Sequence, residues 1–369
     1  MYENLQIYWW FIISLLAGIF VFISFVQGGQ MLLFSFKDEK NKDMIVNSIG
    51  KKWELTFTTL VMFGGACFAA FPLFYSTSFG GAYWVWMAIL FCFIIQAVSY
   101  EYRKKENNFL GQKCYEIFML INGFLGIFLI GVALSTFFSG SEFSLDTRNF
   151  VAWKNPLRGL EALFNPFNFL LGFTLVFAAR VGGSMYLINH INEDYMRKKF
   201  RNFLKKDAAV FVIFFIAFLV WISLKDGFCV ANGVVVMKKF HYILNFFNHY
   251  FIFFGLIISV LTALFGIYKG AFTKSIQGIW FWGIGGVIFA VTFLFFSLGM
   301  SGNVFYPSSA DLNSSLSIYN ASSSFYTLKT MAYISVFIPF VIAYIAYVWK
   351  NMDKTKMSKK ELEKSDVVY

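Results

Sequence analysis

The 369-residue chain is 58% hydrophobic and 22% aromatic, only 14% charged, and carries a formal net charge of +11. Soluble domains run nearer about 25% charged, so this composition excludes a lone soluble enzyme domain, a disordered segment and a small disulfide scaffold. It points to a polytopic membrane protein, whose positive charge reads as basic residues gathered on one membrane face rather than as a nucleic-acid footprint.

About 20 apolar residues cross the hydrocarbon core as a helix, which satisfies its own backbone hydrogen bonds. In chain order nine stretches qualify or nearly do: 8–26, 55–77, 82–100, 117–138, 169–188, 208–224, 250–268, 276–298 and 331–349. The expected fold is therefore an all-α polytopic membrane protein with nine transmembrane helices. Residues 1–350 would form a single helical domain, and the polar residues 351–369 a short cytoplasmic tail. The first stretch has neither a basic leader nor a small-residue cleavage site, so it reads as a retained span. With the N-terminus outside, the inner loops and tail hold 23 of the 31 Lys and Arg residues and the outer segments seven. That asymmetry predicts a periplasmic N-terminus and a cytoplasmic C-terminus. The segments 139–168, 225–249 and 299–330 are long outer loops.

Few groups in this sequence can do chemistry. His190 falls just past the inner end of the fifth span, and His241 and His249 sit in an outer loop and at its junction with the seventh span. None sits mid-span, where a transmembrane haem would need its ligands, so all three read as interfacial polar residues. The four cysteines, Cys67, Cys92, Cys114 and Cys229, form no CxxC pair and indicate neither zinc nor a redox couple. No phosphate-binding loop is present, and the pairs Gly64-Gly65, Gly80-Gly81, Gly182-Gly183 and Gly285-Gly286 read as small residues for close helix packing.

Ionisable groups near hydrocarbon are more informative, since each costs about 2.5–3.5 kcal/mol at the bilayer centre on insertion scales. Glu54 opens the second span after Trp53, Glu101 closes the third, and Gln27 and Gln30 flank Gly28-Gly29 at the inner end of the first. All four fall near the expected cytoplasmic boundary. A partly desolvated carboxylate there could pass protons inward. The plainer reading makes Glu54 and Glu101 interfacial anchors paired with Lys51, Lys52 or Arg103. Arg180, inside the fifth span, either snorkels to lipid or meets a carboxylate, propionate or phosphate.

Several segments carry a resemblance: Asn47-Ser48-Ile49 before Trp53-Glu54, Ala69-Ala70-Phe71-Pro72-Leu73-Phe74-Tyr75, Tyr100-Glu101-Tyr102-Arg103-Lys104 and Leu163-Phe164-Asn165-Pro166-Phe167. Near the end follow Pro307-Ser308-Ser309, Asn313-Ser314-Ser315-Leu316 and Asn320-Ala321-Ser322-Ser323. In this order on nine spans, the chain resembles subunit II of the bacterial cytochrome bd-type quinol oxidases, including their cyanide-insensitive branch. The resemblance implies a bacterial cytoplasmic-membrane complex that oxidises quinol and reduces dioxygen to water with protons drawn from the cytoplasm. This chain would bind no cofactor. Haem b and haem d, or haem b only, would lie in the partner, subunit I, with membrane lipid and a small single-helix accessory subunit as further partners. The family commonly has an Asp where Glu54 stands and another where Glu101 stands, and the resemblance carries a proton-path role to Glu54 and, less firmly, to Glu101. Gln27 and Gln30 replace two carboxylates common in the family; an amide binds water but cannot titrate. A secondary transporter with a midplane polar site is the alternative, which the apolar span centres argue against.

Overall fold

The computed structural model describes residues 1–364, with side chains to residue 363. Eight helices are long and apolar enough to cross a membrane: α1 (Tyr2–Ser35), α2 (Glu39–Ala70), α3 (Tyr83–Tyr102), α4 (Gln112–Ser139), α5 (Pro166–His190), α6 (Asp194–Leu224), α7 (Tyr250–Phe272) and α8 (Gly278–Leu298). A ninth, α9, consists of Phe325–Ser335 and Ile338–Met352 meeting at 42°. Pro339 accounts for the bend, because it has no N–H for the Ser335 carbonyl and its ring crowds that turn. The chain is thus an all-α polytopic membrane protein of eight to nine spans.

Most expected spans fall inside these helices or within two residues of their ends. The second is a correction. Expected over 55–77, the helix instead starts at Glu39 and stops at Ala70. Phe71 leaves the helical region at φ −134 and ψ 66, as a residue preceding proline is pushed to do. Pro72 then opens a separate turn, Pro72–Tyr75, where its missing N–H has no partner to lose. At the start of α5, the Asn165 side chain caps the helix by accepting from the Phe167 N–H at 3.0 Å, with Pro166 in the first turn.

α1 and α5 form the centre. Their most apolar windows are 72% and 78% buried, against 22% for α6 and 28% for α7. They touch through backbone: a β carbon on Gly28 would lie 1.7 Å from the Ala179 carbonyl oxygen, and one on Gly183 2.4 Å from the Gly29 nitrogen. In a membrane, where lipid removes the hydrophobic drive between helices, such close approach is what dispersion needs. Gly286 plays the same part against Ala263 of α7. The expectation of close packing fails at Gly65 and Gly80, where an added β carbon meets nothing.

Three short antiparallel hairpins, Phe143–Leu145 with Val151–Trp153, Gly227–Ala231 with Val234–Lys238 and Val304–Tyr306 with Leu316–Ser317, build up the long loops. At the other end the polar tail is docked rather than free. Asp353 and Met357 are buried; the Met357 N–H donates to the His190 carbonyl at 3.0 Å and the Asn192 N–H to that of Met357 at 2.7 Å. The expected boundary at 350/351 therefore cuts through a packed segment, while residues 365–369 of the expected tail lie outside the described residues.

Candidate functional site

Local sequence places one polar cluster inside the bundle. Cys92, Gln96 and Tyr100 recur every four residues and share one face of α3. That face meets α4 where Asn122–Gly126 forms a π-helical turn, a distortion that recurs at functional sites. A β carbon on Gly126 would lie 3.2 Å from the Asn122 amide nitrogen and 3.3 Å from the Cys92 β carbon, and one on Gly123 would lie 2.8 Å from the Gln27 carbonyl oxygen. The second half of α1 closes the cluster, and Gln30 Nε2 donates to the Tyr100 hydroxyl at 3.1 Å.

Gln27, Gln30, Gln96 and Asn122 are fully buried. Seven of their amide atoms have no protein partner: both on Gln27, Gln96 and Asn122, and Oε1 of Gln30. Each orphaned polar atom costs about 1–3 kcal/mol. Seven together would rival the whole stability of about 5–15 kcal/mol of a folded domain, so the arrangement requires ordered water. Sequence reading found Gln27 and Gln30 but missed Gln96 and Asn122; the signal was an amide in the middle of an otherwise apolar span.

Glu54 and Glu101 stand at the rim of this cluster. Trp53 stacks on Tyr100 with ring centroids 5.5 Å apart and planes 8° from parallel, which brings the start of the apolar part of α2 to the end of α3. Both carboxylates are exposed on this chain, which corrects the expectation of partial desolvation here: burying them takes a partner surface. Arg103 turns inward to Asp43 and Glu116, and Lys52 to Asp353.

These inward turns reveal two buried ionic clusters that hydropathy could not locate. In the first, Arg103 Nη1 binds Asp43 at 2.7 Å and Nη2 binds Glu116 at 2.7 Å. Lys42 reaches Glu116 at 3.0 Å and Glu39 at 2.9 Å, and Lys104 reaches Asp43 at 3.0 Å. Three cations face three carboxylates, tying α2, α3 and α4 together. In the second, Lys52 Nζ donates to Asp353 at 2.9 Å, Trp349 Nε1 donates to the same carboxylate at 2.8 Å, and the Tyr186 hydroxyl donates to it at 3.2 Å. His190, read as interfacial, is fully buried against Tyr186 with its Nε2 3.6 Å from Asp353. The docked tail covers it. Arg180 neither snorkels nor waits for a foreign anion: its Nε donates to Asp207 at 3.1 Å, a carboxylate from α6 just outside the span expected there. His241 and His249 hydrogen-bond Asn303 at 2.5 Å and Ser301 at 2.6 Å. Among the described residues, no group of three or more His, Cys, Asp and Glu could hold a metal ion.

Fold and site together define a multi-pass helical membrane protein with a buried polar cluster in its core. Residues 5–352 match the family model described as cytochrome bd terminal oxidase subunit II, and the chain belongs to that family. It is 26% identical to the cytochrome bd-I ubiquinol oxidase subunit 2 of Escherichia coli, over 99% of this chain and 98% of that one. It is 24% identical to the cytochrome bd ubiquinol oxidase subunit 2 of Bacillus subtilis, over 90% and 91%. The fold is shared with the bd oxidase of Geobacillus thermodenitrificans at a TM-score of 0.63 and 15% identity, covering 95% of this chain and 98% of that one. The chain is accordingly a subunit of an oxidoreductase complex, and its family implies haems in a partner subunit.

Proposed function

We propose that this chain is the haem-free half of a quinol:oxygen oxidoreductase of the bacterial cytoplasmic membrane, with its N-terminus periplasmic and its C-terminus cytoplasmic. It scaffolds the haem-bearing subunit I and leads protons from the cytoplasm toward the site of oxygen reduction. The observation that carries the proton role is the cluster of seven unpartnered amide atoms on Gln27, Gln30, Gln96 and Asn122, joined through Tyr100 and Trp53 to a rim bearing Glu54 and Glu101. Glu54 and Glu101 collect protons where subunit I covers them. Because the amides cannot titrate, the water they hold relays the proton beyond that point.

In the assembled oxidase, Glu54→Ala is expected to slow oxygen consumption by on the order of 100-fold, at the low end of what a positioned acid–base group contributes. Haem content should stay near normal, and Glu54→Asp should restore most of the rate. Gln96→Leu is a second arm: it removes two orphaned atoms, so thermal stability should hold or rise while turnover falls. Unchanged oxygen consumption and proton uptake in both variants would refute the proton role and leave scaffolding alone.

A further inference from the structure

An apolar cavity of about 1050 Å³ runs between α1, α2, α8 and the second half of α9. Val341, Ile342 and Ile345 of α9 fall at helical spacing on one stripe, and Ile12, Leu16 and Ile19 of α1 on another. Both stripes line the same cavity, yet the α9 residues are 50%, 48% and 39% exposed. The two helices therefore turn matching apolar faces toward each other without closing the gap.

One end of the cavity is polar. Trp280 and Trp349 stand there with ring centroids 6.0 Å apart, the residue type enriched at the headgroup level of a bilayer. Beyond them Lys350, Lys354 and Lys356 line the mouth. The carboxylate beside them, Asp353, is occupied by Lys52, and Lys356 donates to the neutral Asn189 amide at 3.0 Å. The mouth is therefore net positive at the level where phosphates lie.

We infer that this cavity holds one anionic diacyl phospholipid, its acyl chains between α1 and α9 and its phosphate on Lys350, Lys354 and Lys356. Size agrees. The cavity is many times larger than a methylene, which is about as large as a water molecule at roughly 30 Å³, and so has room for acyl chains along both stripes. A membrane-spanning helix carries no phosphate for the three lysines to meet. A quinone head carries no charge for the lysines to meet. The inference stands apart from the proton role, because every residue it uses lies outside the amide cluster.

The test uses the intact two-subunit oxidase reconstituted in nanodiscs and then examined by native mass spectrometry and electron cryomicroscopy. One phosphatidylglycerol per complex should survive detergent exchange, with density in this cavity, and phosphatidylcholine should not replace it. Lys350→Gln combined with Lys354→Gln should weaken phosphatidylglycerol retention about 30-fold, given roughly a fivefold effect for each lysine near an anionic surface. Ile342→Trp, which fills the apolar part and leaves the lysines intact, should displace the lipid while haem content and Glu54-dependent turnover persist. An isoprenoid quinone or a polypeptide in the cavity, or retention indifferent to the lysine substitutions, overturns the assignment.

Discussion

Arg103→Met is expected to remove the assembled oxidase from the membrane almost entirely. The substitution keeps much of the side-chain volume but removes the fully buried cation shared by Asp43 and Glu116, leaving each with a single lysine at the edge of the cluster. Breaking one side of a buried ion pair costs about 3–5 kcal/mol, a large share of a total of about 5–15 kcal/mol. The check is the yield and thermal midpoint of the affinity-purified complex. Two controls separate this mechanism from a general sensitivity to charge. Lys40→Met removes only an exposed pair with Glu363, whose partners are 65% and 67% exposed, and should change stability by less than about 1 kcal/mol. Arg103→Met with Glu116→Gln removes both charges of one pair and should recover part of the loss. Wild-type yield and midpoint in the single variant would show that the cluster is not what clamps α2, α3 and α4.

Gly28→Leu should be as damaging for a different reason. Its β carbon would meet the Ala179 carbonyl oxygen at 1.7 Å, so the obstacle is backbone and no rotamer change relieves it. Overpacking a core normally costs about 1–3 kcal/mol when side chains can adjust; here α1 and α5 must separate along the most buried crossing in the molecule, and the cost exceeds that range. Gly65→Leu is the matched control. It lies in a helix of the same chain and meets nothing within 4 Å, so the same substitution should be tolerated. Comparable thermal midpoints for the two variants would show that the α1–α5 contact is not tight.

The span pattern was readable because hydrocarbon demands it: a run of about 20 apolar residues has one common use, and Lys and Arg avoid the loops that must be translocated. Where the reading slipped, local rules were outvoted or overlooked. Pro72 already carried the signal that ended α2 at Ala70, seven residues short of its expected boundary. His190 looked interfacial because it follows an apolar run, but the docked tail buries it. Glu54 and Glu101 were legible as chemistry-bearing positions, yet their burial depends on a surface that this chain does not supply.

Composition and hydropathy by themselves determined an all-α polytopic membrane protein and singled out Gln27, Gln30, Glu54, Glu101 and Arg180, while the order of the motifs carried the resemblance to the cytochrome bd oxidase family. Only the tertiary structure decided partners. It paired Arg180 with Asp207, Arg103 with Asp43 and Glu116, and Lys52 with Asp353, and it set Gln96 and Asn122 beside Gln27 and Gln30. The physical reason is that a transmembrane helix is specified by the solvent around it, residue by residue. A buried charge or amide is specified by whichever group from a distant segment arrives within about 3 Å of it.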